Sequence, residues 1–185
     1  MDKTIFLWVV EHRVGWLDPM FVALSVVGYF GLVWIALAAM LAYLTQRSIR
    51  FSVALTAACV WSADVISLGL KAAAHRPRPF ETIPRADPLL GGATIGQSMP
   101  SGHAATSFAG AVALTYLFPR SAPYVFLLAV AIAFSRVYVG VHYPSDVLAG
   151  AALGACVGLV VVLVVRLRRP TSGARRRSEG APKTG

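Results

Sequence analysis

Residues 146–167 read DVLAGAALGACVGLVVVLVVRL, and this stretch decides the fold class. Between Asp146 and Arg166 it holds only apolar and small residues. A helix needs roughly 20 such residues to cross the hydrocarbon core of a bilayer, so the segment is long enough to span. Working outward, four more stretches of the same character occupy about 20–44, 51–71, 101–118 and 123–141, of which 101–118 is the shortest. Residues 4–10 are apolar but run into Glu11, His12 and Arg13. That segment is too short to cross and is expected to lie in the interface, a setting that suits Trp8 and Trp16. It does not read as a signal peptide, because the charged break comes early and no small-residue cleavage site follows. The expectation is an all-α, polytopic transmembrane helix bundle of about five spanning helices plus an N-terminal interfacial helix, forming one domain over residues 1–167.

Composition agrees. Of 185 residues 57% are apolar and 14% charged, and the mean hydropathy is +0.67, which excludes a soluble globule as the default. The net charge of +9 is concentrated at one end: Arg166, Arg168, Arg169, Arg175, Arg176, Arg177 and Lys183 face a single acid, Glu179. A nucleic-acid binder needs cations spread over a folded face. Arginines placed directly after an apolar helix instead fix its orientation. Residues 168–185, rich in Gly, Ser, Arg and Pro, are expected to be a basic, disordered cytoplasmic tail. Cys59 and Cys156 lie inside apolar runs and read as small packing residues. No aspartate-rich, HExxH or Walker-type motif occurs, so no metal or nucleotide cofactor is implied.

Short loops set the orientation. Arg47 and Arg50, Arg120, and the basic tail fall on one side of a five-span chain, which is then cytoplasmic. The N-terminus, the loop 72–100 and the turn around His142 fall on the outer side, which is expected to be that of a bacterial cytoplasmic membrane. That loop carries Arg76, Arg78 and Arg85, which run against the charge rule and require another explanation.

Ionisable residues at membrane depth are costly and mark functional sites. Here they gather in three places on the outer side: KAAAHRPRPF (71–80), MPSGHAATSF (99–108) and FSRVYVGVHYPSD (134–146). Lys71, Arg78 and Arg136 would neutralise a group with several anionic oxygens, and arginine forks fit a phosphoryl group. The N-terminus of the third span, opened by Ser101 and Gly102, offers unpaired N–H groups and a positive dipole end. Gly102 leaves room for close backbone approach. Two histidines then divide a covalent displacement: one attacks phosphorus, the other protonates the leaving oxygen and later activates water. Composition fits either assignment. Asp146, four residues after His142, breaks the tie by holding one ring nitrogen and leaving the other free, which makes His142 the nucleophile and His103 the acid and base.

These residues carry a resemblance. Lys71 with six residues to Arg78-Pro79, then Pro100-Ser101-Gly102-His103, then Ser135-Arg136 with five residues to His142 and three more to Asp146, is similar to the three-part signature of the type 2 phosphatidic acid phosphatase family. Residues 17–35 also resemble the family's first long helix. The resemblance implies an integral-membrane, metal-independent lipid phosphatase that passes through a phosphohistidine. His142, His103 and Asp146 are then catalytic, and Lys71, Arg78, Ser101, Gly102 and Arg136 bind phosphate. Family members are usually drawn with six spans, against five plus an interfacial segment here. Among substrates, a polyprenyl diphosphate such as undecaprenyl diphosphate suits a compact bacterial enzyme; phosphatidic acid, phosphatidylglycerol phosphate and a prenyl-linked phosphosugar stay open. A non-catalytic anion transporter or a vanadate-dependent haloperoxidase are the competing classes. The paired histidines oppose the first and the five spans the second.

Outside the motifs, Arg76 is the loop cation best placed for an anionic headgroup, ahead of His75 and Arg85. Asp64 lies seven residues before Lys71, on the same helix face two turns deeper, and reads as structural. Gly150, Gly154 and Gly158 read as a small-residue packing face.

Overall fold

The computed structural model describes residues 1–90 and 96–168. The expected tail beyond residue 168 lies outside the described residues. In chain order the α-helices are α1 (Asp2–Glu11), α2 (Asp18–Val27), α3 (Leu32–Leu44), α4 (Ile49–Ala74), α5 (Pro79–Thr82), α6 (Gly102–Leu117), α7 (Ala122–Tyr138) and α8 (Pro144–Arg168). No strand occurs among the described residues.

Local chemistry sets the helix ends. Ser48 opens α4 by accepting the Phe51 N–H on its hydroxyl at 3.4 Å. His75, in the left-handed conformation at φ 46°, closes α4 ahead of Pro77 and Pro79, which cannot continue it.

The first expected span, 20–44, is not one continuous helix. It breaks between Val27 and Leu32, where a 3₁₀ turn (Tyr29–Gly31) separates α2 from α3, and the two arms are bent by 56°. Gly31 sits at φ +66°, and a Cβ there would lie 2.3 Å from the Val60 side chain. A Cβ on Gly28 would lie 2.7 Å from Ile132 and 2.9 Å from the His103 ring. The glycines thus let the broken backbone press against α4, α6 and α7.

By length and composition α4, α7 with its leading turn, and α8 can each cross a bilayer, and the bent α2–α3 pair meets the same test only when its two arms are taken together as one span. At 16 residues α6 is about 24 Å long, short of a bilayer core. It runs down the centre of the bundle instead, sheathed by its neighbours, with Ala104, Ala105, Ala109, Ala111, Ala113 and Leu114 all buried. Its small residues make that position possible. The Trp34 ring of α3 covers Gly110, where a Cβ would come within 2.5 Å of it. On the opposite flank Gly150, Gly154 and Gly158 of α8 meet α6 directly: added Cβ atoms would fall 2.3 Å from the Ser101 carbonyl, 2.0 Å from the Ala105 carbonyl and 3.1 Å from Val112. The glycine face is a helix contact.

The two ends of the bundle differ. At one end the Arg47 guanidinium donates to the Leu117 carbonyl at 2.6 Å, tying the α3–α4 loop to the end of α6. At the other, the C-termini of α4 and α7 meet the N-termini of α6 and α8, and Ser101 N–H donates to the Asp146 carbonyl at 2.9 Å. The α1 helix lies across this second end. Its Phe6 is fully buried and packs edge to face on Tyr143 at 5.6 Å, while Trp8 on the other face is 61% exposed. Arg13 follows it and donates to the carbonyls of Tyr138 and Asp87, each at 2.7 Å.

Candidate active site

A cavity of about 220 Å³ opens at the end where the three motifs meet. Lys71 reaches it from α4, Arg78 from the start of α5, Gly102, His103 and Thr106 from the first turns of α6, Arg136 from the end of α7, and His142 from the turn into α8. Gly28, Tyr29 and Phe30 of the broken span complete the wall with Asp64 and Leu68. Six of the residues singled out from sequence therefore line one space, although the chain separates them by up to 71 positions.

Both arginines are held from behind. The Arg78 guanidinium donates to the Gly96 carbonyl at 2.8 Å and to the Val141 carbonyl at 3.1 Å. One arm of the Arg136 guanidinium donates to the Ser25 hydroxyl of α2, while its Nε is buried with no hydrogen-bond partner. The Ser101 hydroxyl, at the N-cap of α6, and His142 Nδ1 are likewise buried and unpartnered. A buried polar atom left unpaired costs about 1–3 kcal/mol. Arg136 lines the cavity, so its Nε is free to take a contact there, whereas the Ser101 hydroxyl lies outside the cavity wall and His142 Nδ1 is turned toward Asp146.

The two histidines differ in their surroundings. His103 Nε2 lies 3.1 Å from the Ser25 carbonyl; a carbonyl only accepts, so Nε2 carries the proton there. That carbonyl belongs to the last turn of α2, where the break before Leu32 leaves it without a helical partner. His142 is 2% exposed, and its Nδ1 faces Asp146 Oδ2 at 3.6 Å, ion-pair range but longer than a hydrogen bond. Burial, with Arg136, Arg78 and Lys71 nearby, pushes the His142 imidazole well below the usual histidine range, against a hydrogen bond to the Ser98 backbone that favours the cation, so the neutral ring is favoured. Asp146 is fully buried; its Oδ2 accepts the Tyr143 N–H at 2.8 Å and its Oδ1 accepts Arg76 at 2.6 Å.

Two placements depart from the sequence reading. Arg76, singled out for a headgroup, is not in the cavity wall: it lies behind it, committed to Asp146 and Asp2. Asp64, read as structural, is in the wall. A Cβ on Gly102 would sit 3.6 Å from Asp64 Oδ1 and 3.8 Å from Lys71 Nζ, so the acid and the lysine flank the opening turn of α6 together. Ser25 and Asp2 are contacts that the sequence did not reveal: a lone serine in an apolar helix and an acid near the start of the chain carry no local pattern. Among the described residues no group of three or more His, Cys, Asp or Glu could hold a metal ion.

The helix bundle and its spans define a multi-pass membrane protein. The PAP2 superfamily profile matches residues 51–170, and the chain belongs to that superfamily. It is 32% identical to an undecaprenyl-diphosphatase of Sulfolobus acidocaldarius, over 86% of this chain and 76% of that protein. It is 44% identical to a lipid A 1-phosphatase of Rhizobium johnstonii over 68 residues, 37% of this chain, and spans only 28% of that protein's length. Among solved structures, Aquifex aeolicus LpxE superposes with a TM-score of 0.74 at 25% identity, covering 87% of this chain and 94% of that one.

Proposed function

We propose that this protein is a membrane lipid phosphatase that hydrolyses a lipid phosphomonoester or diphosphate at the outer interface, without a metal, through a phosphohistidine on His142. The observation that carries the reading is the convergence of two histidines, three cations and the N-terminus of α6 on one cavity at one end of the bundle. The substrate phosphate would take its contacts from Lys71, Arg78, Arg136 and the N–H groups opened by Gly102. His142 attacks phosphorus; the bond from phosphorus to the lipid oxygen breaks, and protonated His103 gives that oxygen its proton. Neutral His103 then takes a proton from water, the hydroxide attacks phosphorus, the P–N bond breaks, and phosphate leaves with His142 restored. In place of a metal, the three fixed cations stabilise the charge on the equatorial oxygens.

A polyprenyl diphosphate is the first choice of substrate. The relative matched over most of both chains is named an undecaprenyl-diphosphatase, which supports that choice; phosphatidic acid, phosphatidylglycerol phosphate and a prenyl phosphosugar are the alternatives. The basic ends at Arg47 and Arg120 support a cytoplasmic side opposite the cavity. Rapid acid-free quenching with a radiolabelled lipid phosphate tests the mechanism: an acid-labile, alkali-stable phosphoprotein is expected, and its absence throughout turnover would refute the covalent step.

A further inference from the structure

Asp2 is far in sequence from every motif, yet it touches the site. Its Oδ2 accepts the Arg76 guanidinium at 2.5 Å and the Ser145 hydroxyl at 2.5 Å, and its Oδ1 accepts the Ser145 N–H at 3.0 Å. The other arm of Arg76 donates to Asp146 Oδ1 at 2.6 Å and to the Ser145 hydroxyl at 2.7 Å. The guanidinium also lies over the Tyr143 ring, 4.3 Å from its centre. Arg76 is therefore fixed on both arms and one face, between a carboxylate of the interfacial helix α1 and the carboxylate that faces the nucleophile.

We propose that Asp2 and Arg76 are positioning residues: Asp2 holds Arg76, and Arg76 holds the Asp146 carboxylate so that its Oδ2 is presented to His142. The proposal rests on the phosphatase reading above. Three features of the geometry carry it. A carboxylate can rotate about its last bond, and Arg76 on Oδ1 with the Tyr143 N–H on Oδ2 leaves a single orientation. Asp146 is fully buried, so a charge there needs a partner, and the cation paired with it is Arg76, because the neutral imidazole of His142 supplies no charge. Asp2 in turn restrains a long, flexible side chain that is itself 27% exposed. Although partial burial opposes it, the hydrogen bonds from Ser145 and Arg76 hold the Asp2 carboxyl below its usual range, so this anchor stays charged. The anchor also links the site to the membrane surface, because α1 seats Phe6 under Tyr143 and leaves Ile5 and Trp8 exposed on its other face.

The test is steady-state phosphate release in detergent, from whichever of undecaprenyl diphosphate, phosphatidic acid and phosphatidylglycerol phosphate the full chain turns over fastest, by the full chain, by Asp2→Asn, by Arg76→Met and by the double variant, with His142→Ala as the blank. Arg76→Met is expected to lower kcat roughly tenfold and Asp2→Asn about threefold, with KM held within about twofold, because the phosphate-binding cations are untouched. The double variant should be no slower than Arg76→Met, since Asp2 acts only through Arg76. A raised KM at unchanged kcat would make Arg76 a headgroup contact and overturn the proposal. So would losses that multiply in the double variant, or a lowered melting temperature with unaltered kcat, the mark of a structural tie. Should Arg76→Met not fold, Asp2→Asn, which preserves size, decides by the same split between kcat and KM. A wild-type chain that releases no phosphate from any lipid overturns the phosphatase reading and this proposal with it, whereas activity lost in His142→Ala but kept in the other variants overturns the positioning alone.

Discussion

The backbone N–H of Ser101 donates to the backbone carbonyl of Asp146 at 2.9 Å. This bond joins the N-cap of α6 to the first turn of α8, and so joins the second motif to the third across 45 residues of chain. Beside it Gly150 lets α8 approach the Ser101 carbonyl, where a Cβ would come within 2.3 Å. The N-terminus of α6 at the cavity and the carboxylate behind His142 are thereby built on one rigid contact.

That contact continues along the glycine face, and its cost can be measured. Gly154→Ala places a Cβ 2.0 Å from the Ala105 carbonyl oxygen, which forces α6 and α8 apart. Overpacking of this kind costs about 1–3 kcal/mol or more, a fall of roughly 5–10 °C in Tm. Gly69→Ala, in the interior of α4 with nothing within 4 Å of the new Cβ, should keep or slightly raise Tm, because alanine is the better helix former by about 0.5–1 kcal/mol. Thermal unfolding of the two variants in one detergent compares them.

Gly102→Ala separates binding from folding. Its Cβ would stand at ordinary contact distance, 3.4 Å from Ser67 Oγ and 3.8 Å from Lys71 Nζ, so the bundle tolerates it. The methyl group does, however, enter the cradle wall. KM should rise about tenfold, equivalent to about 1.4 kcal/mol of lost phosphate contact. Tm should stay within a degree or two of the parent, by roughly the scatter of neutral surface changes.

The pH dependence follows from His142. Its imidazole titrates well below the usual histidine range because burial and then Arg136, Arg78 and Lys71 disfavour the cation. The proposed nucleophile therefore stays neutral as pH falls through about 6.5, the ordinary histidine value. The acidic limb of kcat/KM should lie below that value. A limb centred at or above it would show a nucleophile in an ordinary environment.

Cations that stabilise transferring phosphate without a metal make two demands on inhibition. Activity should be unchanged by excess EDTA, and vanadate, which mimics five-coordinate phosphorus, should compete with substrate. A strict requirement for magnesium would remove the three-cation account.

Much of this was legible before the structure because the membrane makes charge placement costly: Lys71, Arg136 and Asp146 stand out in apolar surroundings, and their spacing placed them at one surface. The end of the second span followed from Pro77 and Pro79, which cannot continue a helix. The break in the first span did not, because GYFG (28–31) is apolar enough to pass as helix; only packing against Val60, Ile132 and His103 selects the bend. Nor did sequence show that α6 is central rather than lipid-facing, since Ala and Gly suit both settings. Arg76 was visible as an unexplained cation, but its partner, Asp2, is 74 residues away in the chain and becomes a neighbour only when α1 folds across the site.

The central claim is best tested by phosphate release from the detergent-purified protein and its His142→Ala variant, in EDTA, against undecaprenyl diphosphate, phosphatidic acid and phosphatidylglycerol phosphate. The account predicts release by the parent, with undecaprenyl diphosphate turned over fastest, and none by the variant. Release that survives loss of the His142 imidazole, or no release from any of the three lipids, would contradict it.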